Sequence, residues 1–344
     1  MFVLLVGFNS CTDDNGSDLV ETPVPQPDDE YHYELPVIFH VLYEDKSDET
    51  QYVSPERLAE ILSAVNDKYK DKVNSVDMNL TFTLATTNPD GETMDTPGVE
   101  YIQWPGSYPI SCDDFMSDNT GRYVKYLWDP NNYINVMLYN FTDDGSGLVT
   151  LGISHFPFST EGSTFMEGLN PVESSHLSLD NLKFPYCSSI NSLFVNEQST
   201  PTYYNPEDIT VTVAHELGHY LGLHHTFSEN SEGTYDGCID SDYCEDTPTY
   251  NRVAYTKWLS LQVSSGVNDL PALAVRDNCM TGQEFVSHNI MDYEYSYSNQ
   301  FTEDQRYRIR HVLTYSPLIP GPKEGQTGTR SVEGPLDLPI MMAR

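Results

Sequence analysis

The run Leu35-Pro36-Val37-Ile38-Phe39-His40-Val41-Leu42-Tyr43 is almost unbroken in apolar and β-branched side chains, which predicts a strand buried on both faces. Further along, Ser54-Pro55-Glu56-Arg57 is a helix-start signature. A hydroxyl caps the first free N–H groups, and the proline at the first position lacks only an N–H that the helix would not use. Leu58, Ile61, Leu62 and Val65 then recur at helical spacing, so this helix packs one face on a sheet. Asn79 to Ala85 alternates and ends in the turn Asn88-Pro89-Asp90-Gly91, predicting a second strand. Tyr133 to Tyr139 predicts a third, and Leu151 to Phe156 a fourth after the glycine-rich loop Asp144-Gly145-Ser146-Gly147. Residues 157–205 have the Ser, Asn and Pro content of loop. A helix is expected to start near Asn205-Pro206-Glu207-Asp208, a capping residue, a proline and two acids, and to bury Ile209, Val213, Leu217 and Tyr220. The tail from Pro320 is rich in Gly, Pro and Thr and reads as peripheral.

Composition narrows the class. Of 344 residues, 38% are hydrophobic and 12% aromatic, which is enough to build a core. The 52 acidic against 17 basic residues leave a net charge of −35. That disfavours nucleic-acid backbones and adsorption to anionic membranes, and it suits a surface exposed to divalent cations. At the N-terminus, Phe2 to Phe8 is apolar and too short to span a bilayer, and Asn9-Ser10-Cys11 follows it. A small residue before a cysteine resembles the lipobox of bacterial lipoproteins, with Cys11 as the lipidated residue. The acids after it resemble the export signal of Bacteroidetes-type surface lipoproteins. An ordinary first strand is the alternative. The expected location is the bacterial outer membrane or cell surface, with membrane contact only through the lipid anchor. The expected organisation is a signal remnant over 1–11, an acidic, proline-rich tether over 12–34, one domain over 35–315 and a tail over 316–344. Five cysteines remain after Cys11, and a bridge from Cys238 or Cys244 to Cys279 is favoured.

The strongest chemistry lies in His215-Glu216-Leu217-Gly218-His219-Tyr220-Leu221-Gly222-Leu223-His224-His225. Four residues advance a helix by about 400°, so His215 and His219 point the same way from adjacent turns. Two such imidazoles can share a Zn²⁺. Glu216 sits beside them, placed to reach a metal-bound water rather than the metal. Gly222 can take the left-handed conformation that ends the helix and brings a third ligand back. Spacing favours His225 over His224 for that role.

This pattern, His-Glu-x-x-His-x-x-Gly-x-x-His, resembles the metzincin clan of zinc endopeptidases. Asn289-Ile290-Met291-Asp292-Tyr293 resembles the clan's methionine turn, with Met291 as an apolar floor beneath the metal. The chain resembles the pappalysin family over residues 35–315. Beyond the zinc motif and the methionine turn, Trp128-Asp129-Pro130, His225-Thr226-Phe227, Phe301-Thr302-x-x-Gln305 and Arg308 carry that likeness. The resemblance implies an α+β fold: a twisted mixed sheet with the active-site helix, above a smaller irregular C-terminal subdomain. It also implies Ca²⁺ at Asp242, Asp246 and Thr247. No sizeable prosegment precedes Leu35, so latency through a removable prodomain is not expected.

The implied activity is hydrolysis of peptide bonds in extracellular proteins, with Glu216 as general base and Tyr293 donating to the developing oxyanion. The peptide or protein substrate should lie as an added strand along Leu151 to Phe156, where His155 is structural. The alternative is a non-catalytic cell-surface binding lipoprotein that keeps zinc for structure.

Overall fold

Strand β1 (Tyr33–Tyr43) starts two residues before the expected Leu35 and forms the centre of the sheet. Its side chains Leu35, Val37, Ile38, Phe39, Val41 and Leu42 are essentially inaccessible to solvent. On one edge it pairs in parallel with β4 (Ile134–Tyr139). On the other it pairs first with β2 (Leu80–Leu84) and then with β3 (Val99–Gln103), both parallel. Strands buried on both faces read as continuous apolar runs, which is why β1 and β4 were legible. The computed structural model describes residues 29–143, 145, 149–324 and 332–343. Cys11, the signal remnant and most of the tether lie outside the described residues.

Beyond β4 the sheet continues through β6 (Ser188–Asn191) to β5 (Gly152–His155) and ends at β7 (Met342–Ala343). β6 runs parallel to β4, whereas β5 runs antiparallel to β6 and β7 antiparallel to β5. Three expectations need correction here. Residues 157–205 are not all loop, because β6 lies inside the sheet. Its serines are buried by local pairing: the Ser154 hydroxyl donates to the Ser188 hydroxyl at 2.8 Å. The tail is not peripheral either, since β7 closes the sheet and Leu338 is buried. β3 had no counterpart in the predicted elements.

Helix α1 (Pro55–Lys70) has Ser54 as N-cap and Pro55 in its first turn, and it buries Leu58, Ile61, Leu62, Val65 and Tyr69. The Tyr69 hydroxyl donates to the Ala214 carbonyl at 2.9 Å, tying α1 to helix α2 (Ile209–Tyr220). The start of α2 is the third correction. Its cap is Asp208, not Asn205: the Asp208 carboxylate accepts from the N–H groups of Thr210 and Val211. Asn205 and Pro206 form the turn before it. The expected apolar stripe is buried throughout.

After α2 the chain becomes irregular, with short hairpins, α3 (Arg252–Ser264) and α4 (Glu303–Tyr315). A Cys238–Cys279 disulfide staples this part, and Cys244 stays reduced and buried. The whole is an α+β fold in which the sheet and α2 form one wall of a cleft and the irregular part the other. No helix among the described residues is long and apolar enough to cross a membrane.

Candidate metal centre

α2 ends in a Schellman motif: the Leu223 N–H donates to the Gly218 carbonyl and the Gly222 N–H to the His219 carbonyl, each at 2.9 Å. Gly222 has φ +92°, and a Cβ there would meet Val312 at 2.9 Å, so both conformation and space call for glycine. Arg308 of α4 donates from Nε to the Gly222 carbonyl at 3.1 Å and holds the turn from outside.

That turn brings three Nε2 atoms together. His219 Nε2 lies 2.9 Å from His215 Nε2 and 3.1 Å from His225 Nε2, and the third separation is 3.2 Å. Each ring is set by its other nitrogen: Nδ1 of His215 faces the Ile290 carbonyl at 2.8 Å, and that of His219 the Leu223 carbonyl at 2.7 Å. His225 Nδ1 faces the Glu229 carboxylate at 3.0 Å. With Nδ1 as donor in all three, the Nε2 lone pairs converge. Burial lowers the pKa of His215 to about 4 and holds His219 and His225 well below the usual range, so all three are neutral, the form in which an imidazole can bind a metal. A tetrahedral Zn²⁺ with bonds of about 2.0–2.1 Å spaces its ligands by about 3.3 Å, so the triad fits that ion. Among the described residues no other group of three such side chains converges this way.

His224 is not part of the triad. Its Nε2 meets the Gly168 carbonyl at 3.1 Å, and its ring stacks on Phe156 at 4.4 Å.

Glu216 is buried against β5, with Oε2 lacking any hydrogen-bond partner. Burial pushes its pKa up to about 8. The approach of helix to strand is close: a Cβ on Gly152 would sit 2.5 Å from the Glu216 Cγ. The Ser154 hydroxyl donates to the Glu216 carbonyl at 2.9 Å and fixes the contact. His155 is held as a structural residue, Nε2 lying 3.1 Å from the Met116 carbonyl and Nδ1 accepting from the Cys187 N–H at 3.3 Å.

Met291 is fully buried under α2, and a Cβ on Gly218 would meet its Sδ at 2.5 Å. The turn around it is strapped from two directions. Asn289 and Gln305 exchange side-chain amide bonds of 3.0 and 3.1 Å, and Gln305 also completes the capping box of α4. Asp292 accepts from the Tyr250 and Ser287 hydroxyls and lies 3.7 Å from the buried Arg276 guanidinium. Arg276 also donates to the carbonyls of Tyr293 and Tyr295. Tyr293 packs its ring 4.5 Å from that of His225 and lines the cleft. Burial holds its hydroxyl well above its usual pKa, so it remains a donor.

Asp242 and Thr247 do meet, the Thr247 hydroxyl donating to Asp242 at 2.6 Å. Asp246 instead accepts from the Asp304 N–H at 3.1 Å, at the start of α4. Residues that sequence reasoning missed are Glu229, Gly152, Ser154 and Arg276. Glu229 and Arg276 stand at no spacing that helix or strand geometry would single out, whereas Gly152 and Ser154 share one face of the predicted strand but nothing in the sequence ties that face to Glu216.

Residues 189–314 match the peptidase family described as pregnancy-associated plasma protein-A. An extracellular metalloprotease of Arthroderma benhamiae is 40% identical over 99 residues, 28% of this chain. The chain spans only 29% of that relative's length. Extracellular metalloprotease 1 of Coccidioides posadasii is 26% identical over 280 residues, covering 80% of this chain and 75% of the relative. A mutant of Tannerella forsythia promirolysin superposes with a TM-score of 0.53 at 19% identity, covering 84% of this chain and 82% of that one. Mirolysin in complex with compound 9 gives 0.53 at 18% identity, with 82% and 91% covered. The fold is therefore the metzincin-like α+β architecture, and the sequence likenesses support a metallopeptidase family.

Proposed function

We propose that the chain is a pappalysin-type zinc endopeptidase that hydrolyses peptide bonds in extracellular proteins. The observation that carries the proposal is the pairing of three converging Nε2 atoms with an adjacent buried carboxylate whose Oε2 has no hydrogen-bond partner. A structural zinc site closed by protein ligands has no use for such a carboxylate. His215, His219 and His225 would hold the ion, which supplies Lewis acidity that acidifies water and polarises the scissile carbonyl. Glu216 takes the water's proton and passes it to the leaving amine. Burial pushes the Glu216 carboxyl up to about 8, and a dication held by the three histidines would oppose that shift and favour the carboxylate. The Tyr293 O–H donates to the oxygen that gains charge. Glu229 orients His225 through Nδ1.

The cleft, about 2050 Å³, is lined by Gly152, Ile153, Glu216, His215, His225 and Tyr293 together with many polar groups. That size suits an extended peptide. The acidic surface and the extracellular relatives support export, and a lipid anchor at Cys11 is part of the same proposal. The calcium expectation remains part of the proposal through Asp242 and Thr247, whose side-chain oxygens lie 2.6 Å apart, while Asp246 faces the start of α4.

The test is hydrolysis of casein, an unstructured protein, by the zinc-loaded chain. The wild type should cleave it, and Glu216→Ala should lose at least ~100-fold in rate while keeping its zinc. Cleavage undiminished in Glu216→Ala would sink the proposal.

A further inference from the structure

The edge of β5 that a peptide substrate would use is already paired. Ala343 lies opposite Ser154 and Met342 opposite His155, and the Phe156 N–H donates to the Met341 carbonyl at 2.9 Å. Ile340, Met341, Met342 and Ala343 pack on the core and line the same cleft as His215 and Glu216. The pairing passes from Phe156 to Ser154, so this strand advances towards Gly152, the residue pressed against Glu216. It is delivered there by a built support. The Asn181 side chain donates to the carbonyls of Val332 and Gly334 at 2.8 Å each, the Leu336 N–H donates to the Asn181 carbonyl at 2.9 Å, and Lys183 pairs with Asp337.

We propose that Ile340–Ala343 is an intramolecular ligand of the substrate-binding edge, held in the cleft as a peptide strand that substrates must displace. This rests on reading β5 as the peptide-binding edge of a peptidase. A strand edge offers one row of N–H and C=O groups, so the tail and a substrate pairing there exclude each other. The grip is short, with two paired residues and one further backbone bond, and its side chains are only half-buried. Such a ligand works through proximity. A tethered segment acts at an effective concentration of about a millimolar or more, so the apparent KM rises by a factor of one plus that concentration over the free peptide's Kd. A short apolar peptide with a Kd near a millimolar gives roughly a two- to tenfold rise, with kcat unchanged.

Two chains test this, both keeping the support at Asn181: one ending at Pro339, and a full-length Met341→Asp, Met342→Asp variant that sets two carboxylates in an already acidic cleft. In each, Glu216→Ala is added for binding measurements with a fluorescein-labelled peptide of sequence Asp337–Ala343. The opened chains should bind this peptide two- to tenfold more tightly than the wild-type tail allows. Without Glu216→Ala they should hydrolyse a reporter peptide with a KM two- to tenfold lower and the same kcat. Tighter peptide binding without any hydrolysis would keep the tail as a ligand of the edge and overturn only the peptidase reading. Equal peptide affinity in tailed and opened chains would overturn the inference, whatever the activity.

Discussion

Gly152 has no room for a side chain. A Cβ would sit 2.5 Å from the Glu216 Cγ and 2.6 Å from its Oε1, so Gly152→Ala must move the carboxylate, the strand or both. Since misplacing a catalytic group by an ångström can cost about 100-fold, kcat on a peptide substrate should fall tenfold or more in this variant. Its zinc content should stay at the wild-type level, because no ligand is touched. Full activity in Gly152→Ala would mean that Glu216 is not held where the chemistry needs it. At this scale much was legible: helix periodicity fixes the direction of His215 and His219, and a glycine after the last helical turn signals the reversal that returns His225. Glu229 was not legible, because its reach to His225 Nδ1 spans a non-helical turn where spacing carries no directional meaning.

The elements around the site act as clamps on the turn at Met291. α4 contributes Gln305, which is buried and shares two amide bonds with Asn289 while capping its own helix. Gln305→Ala leaves the Asn289 amide without that partner and removes the capping box. The expected loss is about 1–3 kcal/mol of stability in urea unfolding, with a lowered kcat, since the floor under α2 loosens. A change below ~0.5 kcal/mol would show that the clamp is redundant. The apolar strands β1 and β4 and the capped helix α1 were readable because burial on both faces, or on one helical stripe, leaves a period in the sequence. β6 left none. Its Ser-Ser-Ile-Asn is central in the sheet only because Ser188 pairs with Ser154 and Asn191 bonds across to Phe141 and the Thr150 carbonyl. Hydrogen bonding that makes a polar strand buriable is a tertiary fact with no local signature. The same holds for β7, two residues long at the end of a proline-rich tail.

For the molecule as a whole, buried neutral histidines set a pH dependence of stability. His155, fully buried and bonded to backbone at both ring nitrogens, has its pKa lowered from 6.5 to about 4 by burial. A depressed histidine pKa means that the unfolded chain binds the proton first. Stability from this group is therefore complete above pH 6.5 and falls as pH drops from 6.5 towards 4. A shift of this size is worth about 3 kcal/mol. The stability gap between wild type and His155→Gln in urea should thus shrink between pH 7 and 4.5, because only the wild type carries the penalty. A constant gap would show that His155 gains its proton as readily in the folded state as in the unfolded one.

Zinc stoichiometry tests the central claim most directly. Purified chain, stripped with chelator and dialysed against Zn²⁺, should return one zinc per molecule by elemental analysis, and His219→Ala should retain less than a tenth of that. Wild-type protein that holds no transition metal and takes up none on titration would contradict the account at its base.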